Sequence, residues 1–264
     1  MAGDKIDMIH HVADGDKLEI FHWHISLPKL EIFGLDMSIT KHVLFMWIAA
    51  ALMLIIFISI ARKESMVPRG WRNFFEAICE FLRDFVAKPY LHEDTNTYLP
   101  ILWTFFFFIL FCNLLGLIPF GATATGNIIV TGTLAVSALV IIKISAFLKH
   151  GPRGYLHALV PQVPGWLWPM MFVVEVLGWG AKTMALAVRL FANMLAGHIV
   201  ILGFLSLPFI FKSYGEVVGY GVGIFSVAIC VAIGCLELFV AFLQAFVFTF
   251  LTAVFLGMMT HPSH

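Results

Sequence analysis

Hydrophobic residues in this chain form long uninterrupted runs, separated by short polar segments. The runs cover residues 43–61, 98–118, 127–148, 166–211 and 217–260. About 20 consecutive apolar residues are enough for a helix to cross a bilayer. The pattern therefore predicts a membrane domain over 43–264 with about five crossing helices, preceded by a polar N-terminal segment over 1–42.

The segment between the first two runs has a periodic pattern instead of a uniform one. Four apolar residues recur in it at helical spacing: Phe74, Ile78, Phe81 and Phe85. Charged residues occupy the opposite side, among them Arg72 and Glu76. Such a helix lies in the membrane interface rather than crossing it. We expect an interfacial amphipathic helix over 66–88.

The last two runs are too long for upright helices. Either one, as a single helix, would be about 65 Å long at the α-helical rise, whereas the hydrocarbon core is only about 30 Å thick. Neither run contains an internal polar loop. We therefore favour a hairpin of two long, steeply tilted helices over four short spans. The predicted fold class is an all-α polytopic membrane protein.

Composition agrees with this class and excludes others. Hydrophobic residues make up 61% of the chain and charged residues 12%, which is too apolar for a soluble protein of this length. The 16 basic and 16 acidic residues balance, so no nucleic-acid partner is expected. The four cysteines lack metal-ligand spacing. We expect neither a metal ion nor a cofactor.

The distribution of basic residues predicts the orientation. Lysine and arginine are concentrated at 62–97 and 149–165, and none occurs at 119–126. Basic loops stay on the cytoplasmic side of a membrane. The N-terminus is therefore expected outside and, after five crossings, the C-terminus inside.

Few acidic, basic or amide side chains interrupt the two long runs, and their spacing is regular. They are Glu175, Lys182, Arg189, Asn193, His198, Glu237 and Gln244. Residues seven apart lie on nearly the same face of a helix. Glu175, Lys182 and Arg189 therefore share one face, and Asn193 lies four residues further on the same side. Glu237 and Gln244 likewise share a face of the last helix.

Arg189 is the most costly of these residues. An arginine at a helix centre costs about 2.5–3.5 kcal/mol on insertion scales. Glycine and alanine are frequent along its helix, and small residues allow another helix to approach closely. The chain offers Arg189 no obvious acidic partner on that side, which indicates a partner on another subunit. His198 lies roughly on the opposite side, where Glu237 is its candidate partner.

Structural roles remain open for several of these residues. Glu175 and Lys182, near a helix end, are compatible with side chains that only reach the interface. Gln244 is compatible with an ordinary interhelical hydrogen bond. His198 and Glu237 are compatible with a static buried pair.

Three segments resemble one known family. "RLFANMLAGH", "LQAFVFTFLTAVFL" and "NLLGLIPF" are similar to motifs of subunit a of the F-type ATP synthase. Glu175 and Lys182 stand 14 and 7 residues before Arg189, as in that family. His198 and Glu237 are exchanged relative to many bacterial members, an arrangement similar to that of mitochondrial members. The resemblance covers most of the chain after about residue 40.

The resemblance implies a non-catalytic stator subunit, in a bacterial plasma (inner) membrane, that stands beside a rotating ring of c subunits. It implies an essential charge at Arg189 and two offset half-channels for protons. The external half-channel is assigned to Asn193, His198, Glu237 and Gln244. The cytoplasmic half-channel is assigned to Glu175, with Lys182 as a weaker candidate.

Partners implied by the resemblance are the c-ring, the b subunits of the peripheral stalk, other membrane-sector subunits and the lipid bilayer. Three alternatives stay open. One is a sodium-translocating version of the same subunit. The others are a stand-alone channel or transporter, and a purely structural scaffold.

Overall fold

The structure is a computed structural model that describes residues 17–20, 23–26, 31–32, 35–36, 40–62, 70–118, 123–159, 164 and 166–261. Within these ranges the only regular secondary structure of the membrane domain is helical. Five of its helical segments are long and apolar enough to cross a membrane, which confirms the predicted all-α polytopic class. The predicted N-terminal segment lies largely outside the described residues.

Two short antiparallel strand pairs are described in the N-terminal segment. Strand β1 (Lys17–Ile20) pairs with β2 (Trp23–Ser26), and Leu18 lies opposite Ile25. Strand β3 (Glu31–Ile32) pairs with β4 (Leu35–Asp36). Sequence analysis did not predict these strands, because each has only two to four residues and hydrophobic periodicity needs longer windows.

The helices of the membrane domain follow the apolar runs. They are α1 (Lys41–Ala61), α2 (Trp71–Phe81), α3 (Lys88–Leu91), α4 (Thr95–Gly116), α5 (Ile128–Leu159), α6 (Trp168–Phe211) and α7 (Glu216–Thr260). Each of the two longest apolar runs forms one helix, α6 of 44 residues and α7 of 45 residues. A short 3-10 turn, Lys212–Tyr214, joins them.

The amphipathic region and the second crossing helix are nearly continuous. A π-helical turn, Leu82–Ala87, joins α2 to α3. The helical path breaks at His92, whose φ of 47° is unusual for a residue other than glycine. Along α2, Phe74 and Phe81 are exposed, and Arg72 approaches Glu76 at 4.0 Å. The interfacial position of this helix stays a prediction.

The third crossing helix has a sharp internal break. Gly151 has φ 68° and ψ 178°, so regular helical geometry ends there although helical turns continue to Leu159. Glycine is suited to this position because it lacks a Cβ atom. The following Pro152 has no backbone N–H and favours the first turn of a new helix.

By its internal contacts the chain divides into two compact units. Unit 1 comprises Met1–Ala51, Leu110–Asn127 and Leu190–Leu243, and unit 2 comprises Leu52–Ile109, Ile128–Arg189 and Gln244–His264. In unit 1, α6 and α7 pack as a hairpin. The Cys230 Sγ lies 3.8 Å from the Ile201 carbonyl oxygen, and Gly219 approaches the backbone of Lys212.

The core of unit 2 is rich in aromatic side chains, centred on α4. The Phe106 and Phe107 side chains are fully buried. Phe107 packs edge-on to Phe57 with ring centroids 4.8 Å apart, and Phe105 lies 5.5 Å from Phe248. Gly257 of α7 packs closely against the Tyr90 backbone. A Cβ atom added at Gly257 would overlap the Tyr90 carbonyl oxygen.

A polar cluster joins three chain segments at one end of unit 2. The Lys149 ammonium forms an ion pair with Asp94 and lies 2.9 Å from the His261 Nε2. Burial and the nearby Lys149 charge lower the pKa of His261, so the neutral ring accepts this hydrogen bond near neutral pH. The segment before α4, the end of the third crossing helix and the end of α7 therefore lie on the same side of the membrane.

Candidate functional site

The Arg189 side chain is exposed on α6. Among the described residues, no hydrogen bond or ion pair reaches its guanidinium. Ala181 and Ala185, two turns and one turn earlier, are exposed on the same helix, and a Cβ atom added at Gly178 would meet open space. Arg189 thus lies on an uncovered face of small residues in unit 2.

The other two charged residues of this helix lie beside a buried tryptophan. Trp179 follows Glu175 by four residues and precedes Lys182 by three, so the three side chains share a face of α6. The Lys182 ammonium stands 4.6 Å from the centroid of the Trp179 ring. Trp179 is only 4% exposed and packs against Phe255 of α7. Lys182 is therefore held over an indole ring instead of extending into solvent.

A third charged residue lies at this place, Lys143 of α5, which was not among the residues predicted from the sequence. Its ammonium lies 3.9 Å from the centroid of the same Trp179 ring. The Glu175 carboxylate attracts this ammonium and Lys182 repels it. A single lysine in a crossing helix gives no periodic signal, so only the tertiary structure connects Lys143 with Glu175.

In unit 1, both ring nitrogens of His198 have partners. Its Nδ1 lies 3.0 Å from the Met194 carbonyl oxygen. Its Nε2 lies 3.1 Å from the Gly116 carbonyl oxygen and 2.9 Å from the Thr123 hydroxyl. Gly116 belongs to the "NLLGLIPF" motif, and Thr123 lies in the uncharged segment that follows it.

These contacts suit two protonation states of His198. Carbonyl oxygens only accept hydrogen bonds, so an imidazolium ring donates from both nitrogens, to Met194 and Gly116. A neutral ring protonated at Nδ1 donates to Met194 and accepts from the Thr123 hydroxyl at Nε2. Both ring nitrogens therefore have a partner in either protonation state.

Glu237 lies beside His198 without a direct hydrogen bond. A Cβ atom added at Gly197 would overlap the Glu237 carboxyl group, whose Cδ would be only 2.8 Å away. No hydrogen bond or ion pair joins His198 and Glu237 within the described part of the chain, so the expected pairing stays a prediction. Gly197 therefore provides the space in which the Glu237 side chain lies.

The remaining two predicted residues lie in different units. Asn193 belongs to unit 1, and its Nδ2 is buried without a hydrogen-bond partner in the described residues. Gln244 belongs to unit 2 and is buried on α7. The structure thus brings His198 and Glu237 together in unit 1, and Glu175, Lys182 and Lys143 together in unit 2.

A buried asparagine fixes the end of α4 beside His198. Asn113 donates from Nδ2 to the Ala241 carbonyl oxygen at 3.2 Å, and its Oδ1 accepts from the Thr125 hydroxyl at 2.7 Å. Gly116, one turn later, leaves no room for a Cβ atom, which would lie 2.7 Å from the Thr123 Cβ. The "NLLGLIPF" motif was the sequence signal for this contact, although sequence analysis assigned it no role in the site.

Comparison with known proteins identifies the family. The family model described as ATP synthase A chain matches residues 43–257. An ATP synthase subunit a of Chloroherpeton thalassium is 44% identical over 268 residues, covering 99% of this chain and 79% of the relative. An ATP synthase subunit a 2 of Chlorobaculum tepidum is 47% identical over 227 residues, covering 84% of this chain and 63% of the relative, so the chain spans just under two thirds of that protein. The chain belongs to the ATP synthase subunit a family.

Proposed function

We propose that this chain is the non-catalytic stator subunit that couples proton translocation to rotation of a c-ring. Arg189 is the observation that carries this proposal, because it is exposed among small residues and has no partner in the described part of the chain. A charge in lipid is tolerated only where a compensating group reaches it. A ring that presents one carboxylate after another supplies such a group.

The chemistry of arginine suits this role. A positive charge favours the ionised form of a carboxyl group that comes close to it. A ring carboxyl therefore releases its proton as it reaches Arg189. The guanidinium keeps its own proton under all physiological conditions, so it cannot become part of the proton path. Its fixed charge also repels a proton that would cross directly between the half-channels.

We assign Asn193, His198 and Glu237 to the external half-channel, and we assign Gln244 to it from the sequence resemblance alone. His198 is supported by its two complete sets of hydrogen-bond partners, from Met194, Gly116 and Thr123. The cytoplasmic half-channel contains Glu175, with Lys182 beside it. Each proton that passes contributes about 2.3 kcal/mol per 100 mV of membrane potential, so several protons drive each synthesis of ATP.

The proposed orientation places the N-terminus outside and the C-terminus in the cytoplasm of a bacterial plasma (inner) membrane. The basic residues of the two loops support it. The ion pair of Asp94 with Lys149, and the Lys149 contact with His261, support a common side for both loops and the C-terminal end. In this arrangement the chain contacts the c-ring, the b subunits, other membrane-sector subunits and lipid.

Replacing Thr123 by valine tests the external half-channel. Thr123→Val keeps the side-chain shape but removes the hydroxyl that serves His198 Nε2. We expect proton transfer through this half-channel to slow by about fivefold in either direction, which corresponds to one hydrogen bond worth about 1 kcal/mol. ATP-driven proton pumping by the whole complex in vesicles measures this. Thr133→Val is the matched control, since Thr133 is exposed and bonds only its own helix; equal rates for the two variants would contradict the assignment.

The identity of the ion and the need for a ring are tested in one system. The complete complex, reconstituted in liposomes, is expected to make ATP from an imposed pH gradient with a potential and without sodium. Synthesis that requires a sodium gradient would favour the sodium-translocating alternative.

The same chain reconstituted without c subunits is expected to conduct no protons. Conduction without a ring would favour a stand-alone channel.

A further inference from the structure

Lys143 of α5 is a buried charge to which the proposed function gives no role. Its Nζ atom is buried and has no hydrogen-bond partner among the described residues. A lysine that merely reaches for the interface keeps its ammonium in water. Lys143 lies two helical turns before the break at Gly151, yet its ammonium turns inward. This position therefore needs another explanation.

The surroundings of Lys143 attract a cation but offer few acceptors. The ammonium lies 3.9 Å from the Trp179 ring centroid and 5.8 Å from that of Tyr155. Aromatic faces attract cations but accept hydrogen bonds only weakly, whereas an ammonium has three N–H donors. Lys182 occupies the same indole ring at 4.6 Å and adds a second positive charge. The group that would stabilise the Lys143 ammonium here is an anionic oxygen that accepts hydrogen bonds.

Glu175 is placed to supply that acceptor. It lies one turn before Trp179 on α6, is half-buried, and acts electrostatically on Lys143. The two side chains form no hydrogen bond or ion pair with each other among the described residues. The Trp179 Nε1 also lacks an acceptor within the described part of the chain. The Trp179 ring thus brings together two donors that lack partners in the described residues, Lys143 Nζ and its own Nε1, one helical turn after Glu175.

We propose that Lys143 is the counter-ion of Glu175, a positioning residue that the third crossing helix contributes to the cytoplasmic half-channel. The inference rests on the proposed function, because it gives Lys143 a role only if Glu175 carries protons. The ionised Glu175 carboxylate is drawn to Lys143 and Trp179. When Glu175 accepts a proton from a ring carboxyl, the attraction ends, and the neutral acid turns away and releases the proton to cytoplasmic water. The returning carboxylate is then drawn back.

A double-mutant cycle with Glu175 tests this role in the whole complex. Lys143→Met removes the charge, and we expect ATP-driven proton pumping to fall by about fivefold. Lys143→Arg keeps the charge and should retain most of the rate. Lys143→Met should add nothing in a Glu175→Gln background, because residues that act through one another are not additive. Lys149→Met is the matched control, and its effect should multiply with that of Glu175→Gln.

Several outcomes would overturn the inference. They are an unchanged rate in Lys143→Met, equal losses in Lys143→Met and Lys143→Arg, or effects of Lys143→Met and Glu175→Gln that simply multiply. Lys143→Gln takes the place of the methionine variant if that complex does not assemble. A silent Glu175→Gln variant, in a complex that Arg189→Ala still uncouples, would also overturn the inference but not the proposed function. Coupled synthesis in Arg189→Ala would refute the proposed function itself.

Discussion

Arg189→Ala is expected to abolish proton-coupled ATP synthesis while the complex still assembles. Losing one partner of a desolvated charge pair costs about 2–5 kcal/mol, so coupled turnover should fall by about 30-fold or more. Folding should be spared because the side chain is exposed and has no partner among the described residues. ATP synthesis driven by an imposed gradient, and co-purification of the c-ring, measure the two effects.

Passive proton leak distinguishes this result from simple damage. Without the fixed charge, protons are no longer repelled between the half-channels, so vesicles with the catalytic sector removed should leak more than the unaltered complex. A misassembled complex would lose synthesis without this leak. Lys212→Ala is the control, because it removes an exposed charge in the turn between α6 and α7. It should neither abolish ATP synthesis nor increase the proton leak. Coupled synthesis retained in Arg189→Ala would refute the mechanism.

Arg189→Lys separates charge from chemistry at the same position. A lysine keeps a positive charge, but burial in lipid favours its neutral form, and it can release its proton. We expect Arg189→Lys to recover at most part of the synthesis lost in Arg189→Ala. Full recovery would show that any positive charge suffices.

The crossing helices were predictable because the hydrophobic effect acts on the sequence directly. A run longer than the bilayer thickness must be helical to satisfy its own backbone, so α6 and α7 followed from the absence of polar loops. The break before α4 was not predictable. It depends on the positive φ of His92, and histidine is not a residue that usually marks such a turn.

The site was predictable only where one helix carries it. The seven-residue spacing placed Glu175 and Lys182 on a common face, and the structure places both beside Trp179. Contacts between helices were not visible. Lys143 reaches Trp179 from another helix, and Thr123 reaches His198 from a loop. Such pairs arise from tertiary packing, on which periodicity carries no information.

Gly197→Ala is expected to impair proton transfer through the external half-channel. The new methyl group would occupy the space of the Glu237 carboxyl group, and would also lie 3.2 Å from the Glu237 Cγ. The acid must then turn away from His198. Overpacking of this kind costs about 1–3 kcal/mol, so proton pumping should fall by at least about fivefold, less than in Arg189→Ala.

A shorter acid should relieve this overlap. Aspartate lacks one methylene group, so Glu237→Asp in the Gly197→Ala background should recover part of the rate, although Glu237→Asp alone slows pumping. Gly203→Ala is the matched control on the same helix, since a Cβ atom there has no neighbour within 4 Å, and alanine is the better helix former. If Gly197→Ala and Gly203→Ala pump equally fast, the position of the Glu237 carboxyl group does not govern proton transfer through the external half-channel. If the double variant pumps faster than Gly197→Ala, and all variants assemble equally well, proton transfer depends on the space that Gly197 leaves for the acid.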